Sequence, residues 1–146
     1  MHQISKAEYM NMYNFIGAAM RVHEILGRAL EEPVYQEALE IELQRRGIGA
    51  SSQMKVDCFY DGIKLKKYYI PDFFYEDIII EIKSVETVAS EHRAQLFGYM
   101  RLTGKDKGIL INFGEPSLRT ERYIYQPAED DFVLLSKENL RDYIYD

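Results

Sequence analysis

Residues 70–83, with the sequence IPDFFYEDIIIEIK, decide the fold of this chain. Almost every residue in the segment is apolar or aromatic, which predicts two strands from the centre of a sheet. Glu76 and Asp77 separate the two apolar runs. We therefore expect a hairpin with a two-residue loop, in which Tyr75 pairs with Ile78.

This register predicts a charged face and an apolar face. Because side chains alternate along a strand, Asp72 lies directly opposite Glu81, and Lys83 projects from the same face. The other face should pack against a helix, since it carries only apolar and aromatic residues: Pro71, Phe73, Tyr75, Ile78, Ile80 and Ile82.

Two carboxylates in directly paired positions have Cβ atoms about 4.5–5.5 Å apart, so they repel unless a cation lies between them. Mg²⁺ prefers oxygen ligands and needs few carboxylates when waters complete its shell. Lys83 could then hold a water or neutralise charge on a phosphate. The alternative is a buried ion pair between Lys83 and one of the two acids.

The remaining sequence predicts one domain spanning residues 1–146, with a helix at each apolar run of three-four spacing. The first helix should bury a stripe of Tyr9, Met12, Tyr13, Ile16, Ala19, Met20 and His23. Helices are expected over residues 5–26, 33–46 and about 90–103, with Thr87 or Ser90 capping the third, and a short one within 136–143. Further strands are expected over residues 53–60, 63–69 and 107–113, with an edge strand at 122–125.

Composition narrows the function classes. The net charge is −6 and the pI is near 5.1, which argues against broad electrostatic binding of nucleic acid but not against an enzyme whose metal supplies positive charge. A single cysteine, Cys58, excludes an internal disulfide and a cysteine zinc site. With no signal-peptide pattern and no apolar run of about 18 residues, we expect a cytoplasmic protein without membrane contact.

Four stretches carry a family resemblance. Pro71-Asp72 followed by Glu81-Ile82-Lys83 resembles the PD-(D/E)XK nuclease signature in its PD…ExK form. Residues 26–35, LGRALEEPVY, are similar to the segment that names the GxxExxY family, with Glu32 and Tyr35 at the named Glu and Tyr and Ala29 at the named Gly. The other two stretches are Gln95-x-x-x-Tyr99, similar to the QxxxY element of RecB-type nucleases, and ILINFG at residues 109–114, similar to the LxNFG ending.

The resemblance implies an α/β fold with a PD-(D/E)XK nuclease-like core: a mixed central sheet flanked by helices in the order αβββαβ, with an extra N-terminal helix. It implies a nuclease that uses Mg²⁺ or Mn²⁺ to hydrolyse phosphodiester bonds, with DNA the expected substrate. The implied metal ligands are Asp72, Glu81, Glu32 (in preference to Glu31) and the backbone carbonyl of Ile82. Lys83 would position the attacking water, Gln95 would support Lys83, and Tyr99 would contact a base or phosphate unless it only packs the helix on the sheet.

Four basic residues are further candidates for contact with the substrate backbone. Lys64 and Lys66 share the face of Asp72 if their strand continues into it without a bulge, and Arg119 and Arg122 follow the last core strand. The alternative is that these residues are solvent-exposed side chains at strand ends with no role in substrate binding.

Two other functions stay open: a non-catalytic interaction protein on a nuclease fold, and a paired-carboxylate hydrolase such as a glycosidase, which needs no metal. The oligomeric state also stays open, with a homodimer among the options.

Overall fold

A five-stranded mixed sheet, with strand order β4-β5-β6-β7-β8, is the centre of the computed structural model, which describes all 146 residues. In chain order the elements are β1 (Ile4–Ser5), α1 (Lys6–Leu26), α2 (Glu32–Arg45), β2 (Val56–Tyr60), β3 (Ile63–Tyr69), β4 (Phe73–Tyr75), β5 (Ile78–Lys83), α3 (Ser90–Thr103), β6 (Lys107–Asn112), β7 (Arg119–Gln126), β8 (Asp131–Leu134), α4 (Leu140–Tyr143) and β9 (Ile144–Tyr145). The mixed α/β fold agrees with the nuclease-like core expected from the sequence.

The β4–β5 hairpin has the predicted register. Tyr75 pairs with Ile78, and the loop residues Glu76 and Asp77 both have positive φ angles, of 48° and 63°. Such angles define a type I′ turn, whose twist matches that of the flanking strands. Two non-glycine residues therefore accept a left-handed conformation to keep this register.

The sheet separates two hydrophobic clusters. Strand residues including Phe73, Ile80 and Ile82 pack with the buried side chains of α1 and α2, as the apolar face of the hairpin predicted. On the opposite face, Ile79 and Leu110 pack against α3. Asp72, Glu81 and Lys83 alternate with the first set, so they belong to the face that α3 covers.

The connection from β5 through α3 to β6 creates a parallel strand pair, as the strand–helix–strand order predicts. Helix α3 ends at Gly104, which has a φ of 72°. The third helix is not capped by Thr87 or Ser90: its N-cap is Ala89, whose N–H donates to His92 Nδ1 at 3.0 Å. The expected hydroxyl cap is therefore absent, and the histidine three residues on instead accepts the N–H of the N-cap residue.

The strand before Asp72 differs from the prediction. β2 and β3 form their own two-stranded sheet, with a register shift between Asp57 and Phe59, and residues 70–72 separate β3 from β4. Lys64 and Lys66 therefore do not lie on the sheet face that carries Asp72. The prediction failed because the strand changes sheets at Pro71, which has no N–H for a continuous ladder.

Three further elements correct the sequence-based picture. β7 is an internal strand because β8 pairs with its outer side, and β1 pairs with β9 to join the two chain ends. Helix α1 buries Met12, Phe15, Ala18, Ala19 and Val22, whereas Tyr13 and Met20 of the expected stripe are exposed. None of the helices combines the length and the apolar character that a bilayer crossing requires.

Candidate active site

The two acids of the hairpin face each other at the end of β5. Asp72 directly precedes β4, and the pairing of Phe73 with Ile80 brings it opposite Glu81. Asp72 Oδ2 accepts the Ile82 N–H at 2.8 Å, and the Asp72 N–H lowers the pKa of the Glu81 carboxyl. The Asp72 carboxylate is thus held by the backbone of β5.

Burial makes negative charge costly at both acids. It raises the pKa of Glu81 to about 7, with Glu32 adding to the rise and Lys83 and the Asp72 N–H opposing it. Burial also raises the pKa of Asp72, again with Glu32 adding and Lys83 opposing. Glu81 Oε1 is buried and has no hydrogen-bond partner. A buried carboxylate oxygen without a partner is an unusual cost, and it marks the place where a cation would be favourable.

Glu32 lies at the first position of α2, near this pair. Gln36, one helical turn later, donates its Nε2 to the Asp72 carbonyl at 3.0 Å. Residues four apart share a helix face, so this bond turns the face that carries Glu32 toward Asp72. The sequence reasoning missed Gln36, although its spacing from Glu32 was a usable signal.

The acids do not form a ready-made three-residue ligand set. No three His, Cys, Asp or Glu side chains of the chain stand together so that they could hold a metal ion as they are. The charge of Glu32 raises the pKa of the other two acids, but the three side chains do not form one cluster. The donor set at hand is therefore two carboxylates, which suits Mg²⁺ with several waters in its shell.

Lys83 points to the same face, one strand position beyond Ile82. Its Nζ donates to Oε1 of Gln95, a residue of α3, at 3.5 Å. Its charge lowers the pKa of both acids, which places the ammonium within electrostatic reach of the pair. Lys83, Gln95, Asp72 and Glu81 are thus brought together from three separate elements.

Tyr99, one turn beyond Gln95 on α3, is occupied by packing. Its ring stacks on the ring of Tyr69, with centroids 3.7 Å apart. The stack joins α3 to the end of β3, and the buried Tyr69 hydroxyl has no hydrogen-bond partner. This contact matches the packing alternative for Tyr99.

The LEEPVY stretch builds the loop beside the site. Ala29, at the position of the named glycine, has a φ of 67°, so alanine adopts the left-handed conformation that favours glycine. Tyr35 donates to the Gly27 carbonyl at 2.7 Å and accepts the Leu30 N–H at 3.2 Å. Its buried ring stacks on Phe113, with centroids 4.4 Å apart. This tyrosine fixes the loop that leads into Glu32.

The asparagine and glycine of the NFG stretch fix the connection that follows Lys83. Asn112 is fully buried and exchanges hydrogen bonds with both the N–H and the carbonyl of Val85, at 3.0 and 2.9 Å. A Cβ on Gly114 would lie 2.1 Å from the Val85 carbonyl oxygen. Only glycine therefore allows this close approach of the two chain segments.

Three of the four basic candidates lie outside this group. Lys64 is exposed and pairs with Asp57 at 3.5 Å, and Lys66 is exposed on the same separate hairpin. Arg122 faces α1 on the opposite side of the sheet, where it donates to the Tyr9 hydroxyl at 3.0 Å. Arg122 therefore does not belong to the group around the paired acids, and its contact with phosphate stays a prediction.

Arg119 stays on the side of the site, because its register partner is Asn112, which in turn pairs with Lys83. Its guanidinium is bound to Glu115 at 3.0 Å and lies 3.6 Å from Glu121. Glu121 also receives two bonds from Arg93, each of 2.7 Å, so its negative charge is already neutralised. Arg119 is therefore the candidate arginine on the face of the paired acids, where Glu115 holds its guanidinium.

Comparison with known proteins supports one assignment. The family model described as the PD-(D/E)XK nuclease superfamily matches residues 10–123. A search of curated proteins gave no match. Among solved structures, the crystal structure of SSO0001 is similar at 22% sequence identity with a TM-score of 0.48, covering 62% of this chain and 48% of that one. This chain thus spans about half the length of that structure. The family match covers most of the chain, including the paired acids and the lysine, and it shows that the chain belongs to the PD-(D/E)XK nuclease superfamily.

Proposed function

We propose that this protein is a Mg²⁺-dependent nuclease that hydrolyses phosphodiester bonds of DNA, and that it belongs to the GxxExxY branch of its superfamily. The observation that carries the proposal is the buried Glu81 Oε1, which has no hydrogen-bond partner and belongs to a carboxylate paired with Asp72. A divalent cation would relieve both the missing partner and the cost of burying two negative charges.

Asp72, Glu81 and the Ile82 carbonyl would hold the ion, and Glu32 would contribute from the start of α2. When bound, the ion supplies Lewis-acid stabilisation of phosphate charge and lowers the pKa of a bound water. The hydrogen bond from the Ile82 N–H orients Asp72 before any ion arrives. Such preorganisation reduces the rearrangement needed on binding.

Lys83 has the role of a charged positioning group. Its ammonium, held by Gln95, can donate hydrogen bonds to an attacking water and to a phosphate oxygen that gains negative charge. Removing it should lower the rate while leaving the carboxylate pair in place. Arg119 can steer the nucleic-acid backbone toward this edge, since the net charge of −6 gives little attraction elsewhere.

The test is cleavage of single- and double-stranded DNA and RNA with Mg²⁺, with Mn²⁺ and with chelator. We expect DNA cleavage that requires metal and falls at least ~100-fold in Lys83→Ala. The matched control is Lys105→Ala, which removes a lysine paired with Asp77 at the opposite end of β5. That variant should cleave at the wild-type rate.

A second candidate function is a non-catalytic interaction protein on the same fold. It is favoured by the absence of a three-residue acidic cluster and by the negative net charge. Cleavage that stays at background with every substrate and metal would support it. Cleavage of RNA alone would change the proposed substrate from DNA to RNA. Equal cleavage in chelator would contradict a metal-dependent reaction.

A further inference from the structure

The outer face of α1 carries an apolar stripe that no part of the chain covers. Met10, Tyr13 and Met20 are 38%, 59% and 58% exposed, although they are among the larger apolar residues of the helix. Together with Gly17 these residues have the alternating three- and four-residue spacing that is typical of paired helices. The stripe covers about 80° of the helix surface, on the side opposite the core.

Gly17 is the small residue in the middle of this stripe. Glycine in a helix interior costs about 0.5–1 kcal/mol relative to alanine, so its presence calls for a reason. Packing within the chain supplies none, because a Cβ there would meet only the flexible end of Arg46, at 3.4 Å. Hollows of about 340 and 270 Å³ lie on the two sides of Gly17 and Tyr13.

The stripe is complementary to itself when it is turned end to end. If two α1 helices pack antiparallel about a twofold axis through the middle of the stripe, Tyr13 faces Gly17 of the partner subunit, so a large side chain meets a hollow. Met10 then faces Met20 of the partner subunit. A twofold interface needs this reciprocity, since the same patch must serve on both copies.

Charges continue the same pattern at the ends of the helix. Lys6 and Glu24 are both exposed and extend the four-three spacing by one position on each side, and Glu24 also pairs with Arg21 of its own helix at 2.9 Å. In the antiparallel arrangement Lys6 faces Glu24 of the partner subunit, at both ends of the interface. A parallel arrangement would instead place like charges together, so the charges select the antiparallel one.

We propose that α1 is the interface of an antiparallel homodimer, with a second copy of this chain as its occupant. The inference is independent of the proposed nuclease activity. Since α1 and the Asp72–Glu81 pair lie on opposite faces of the sheet, the dimer leaves both sites open. One helix pair forms a small interface, so we expect association in the micromolar range.

Sedimentation velocity from low micromolar to several hundred micromolar concentration tests the proposal. Wild type should show a monomer–dimer equilibrium. Lys6→Glu places like charges at both ends and should weaken it about tenfold, and the double variant Lys6→Glu/Glu24→Lys should restore it. Neither change opposes the helix dipole, because the acid is placed at the N-terminal end and the base at the C-terminal end.

Gly17→Gln should abolish the dimer by filling the hollow, while the higher helix propensity of glutamine keeps the monomer folded, as a melting curve will show. Ile41→Gln is the control, since Ile41 is an exposed apolar residue of α2 outside the stripe. A protein that stays monomeric throughout would overturn the proposal. So would a dimer that is unaffected by Gly17→Gln and by Lys6→Glu, or one that responds equally to Ile41→Gln.

Discussion

Glu81 is the residue whose surroundings oppose its charge most clearly. Burial raises its pKa from an ordinary 4.5 to about 7, so between these pH values the folded protein keeps a proton that the unfolded chain has released. When the native state binds more protons than the unfolded state, the free energy of unfolding falls as pH rises. The metal-free protein should therefore lose stability through this window.

Glu81→Gln cannot lose that proton, so its advantage over wild type should grow with pH. We expect a difference of about 3 kcal/mol above pH 7 and little difference near pH 4.5. Urea unfolding in chelator at pH 5 and pH 8 measures it. Glu37→Gln, at an exposed glutamate of α2, is the control and should change neither value. A difference between Glu81→Gln and wild type that does not vary with pH would contradict the account.

At this scale the sequence predicted which residues meet but not their environment. Alternation and a two-residue loop place Asp72 opposite Glu81 because both rules are local. The buried oxygen of Glu81 and the bond from Gln36 depend on how α2 meets the sheet, which is a long-range packing result. The left-handed conformation of Ala29 also could not be predicted, because only the loop geometry decides whether alanine must adopt it.

The elements around the site are held by the loop that joins β5 to α3. Gly114 lets the backbone approach Val85, and the buried Asn112 bonds to both polar groups of the same residue. Lys83 lies two residues before Val85, so this packing fixes the end of the strand that presents the lysine.

Gly114→Ala should therefore destabilise the protein, because its new methyl group would overlap the Val85 backbone. We expect a loss of about 3 kcal/mol or more in the free energy of unfolding. Gly98→Ala makes the same chemical change on α3, where no atom lies within 4 Å, and should stabilise by about 0.5–1 kcal/mol. Equal effects of the two changes in denaturant unfolding would show that the close approach is unimportant.

Element types were more predictable than element partners. Helix α3 and the parallel β5–β6 pair follow from periodicity and from the strand–helix–strand order. The assignment of β3 to a separate sheet does not, since alternation along a strand says nothing about which strand will pair with it. The internal position of β7 depends on β8, whose short run has no strong strand signal.

The whole molecule combines a negative net charge with a partly buried pair of acids, and a bound cation would offset both. The family model matches most of the chain, so family membership is shown by the whole molecule. The proposal of metal binding, in contrast, is supported by a few atoms at one sheet edge. A cation that binds the folded protein and not the unfolded chain must raise the free energy of unfolding by mass action.

Thermal melts with Mg²⁺ and with chelator, for wild type, Asp72→Asn and Glu81→Gln, test this claim most directly. Wild type should gain about 2.7 kcal/mol at a hundredfold excess of Mg²⁺ over its dissociation constant. Both variants should lose that response, and without metal each should be at least as stable as wild type, because one repelling charge is gone. An unchanged wild-type melt, with both variants less stable in chelator, would contradict the account and leave the acids as structural partners of Lys83.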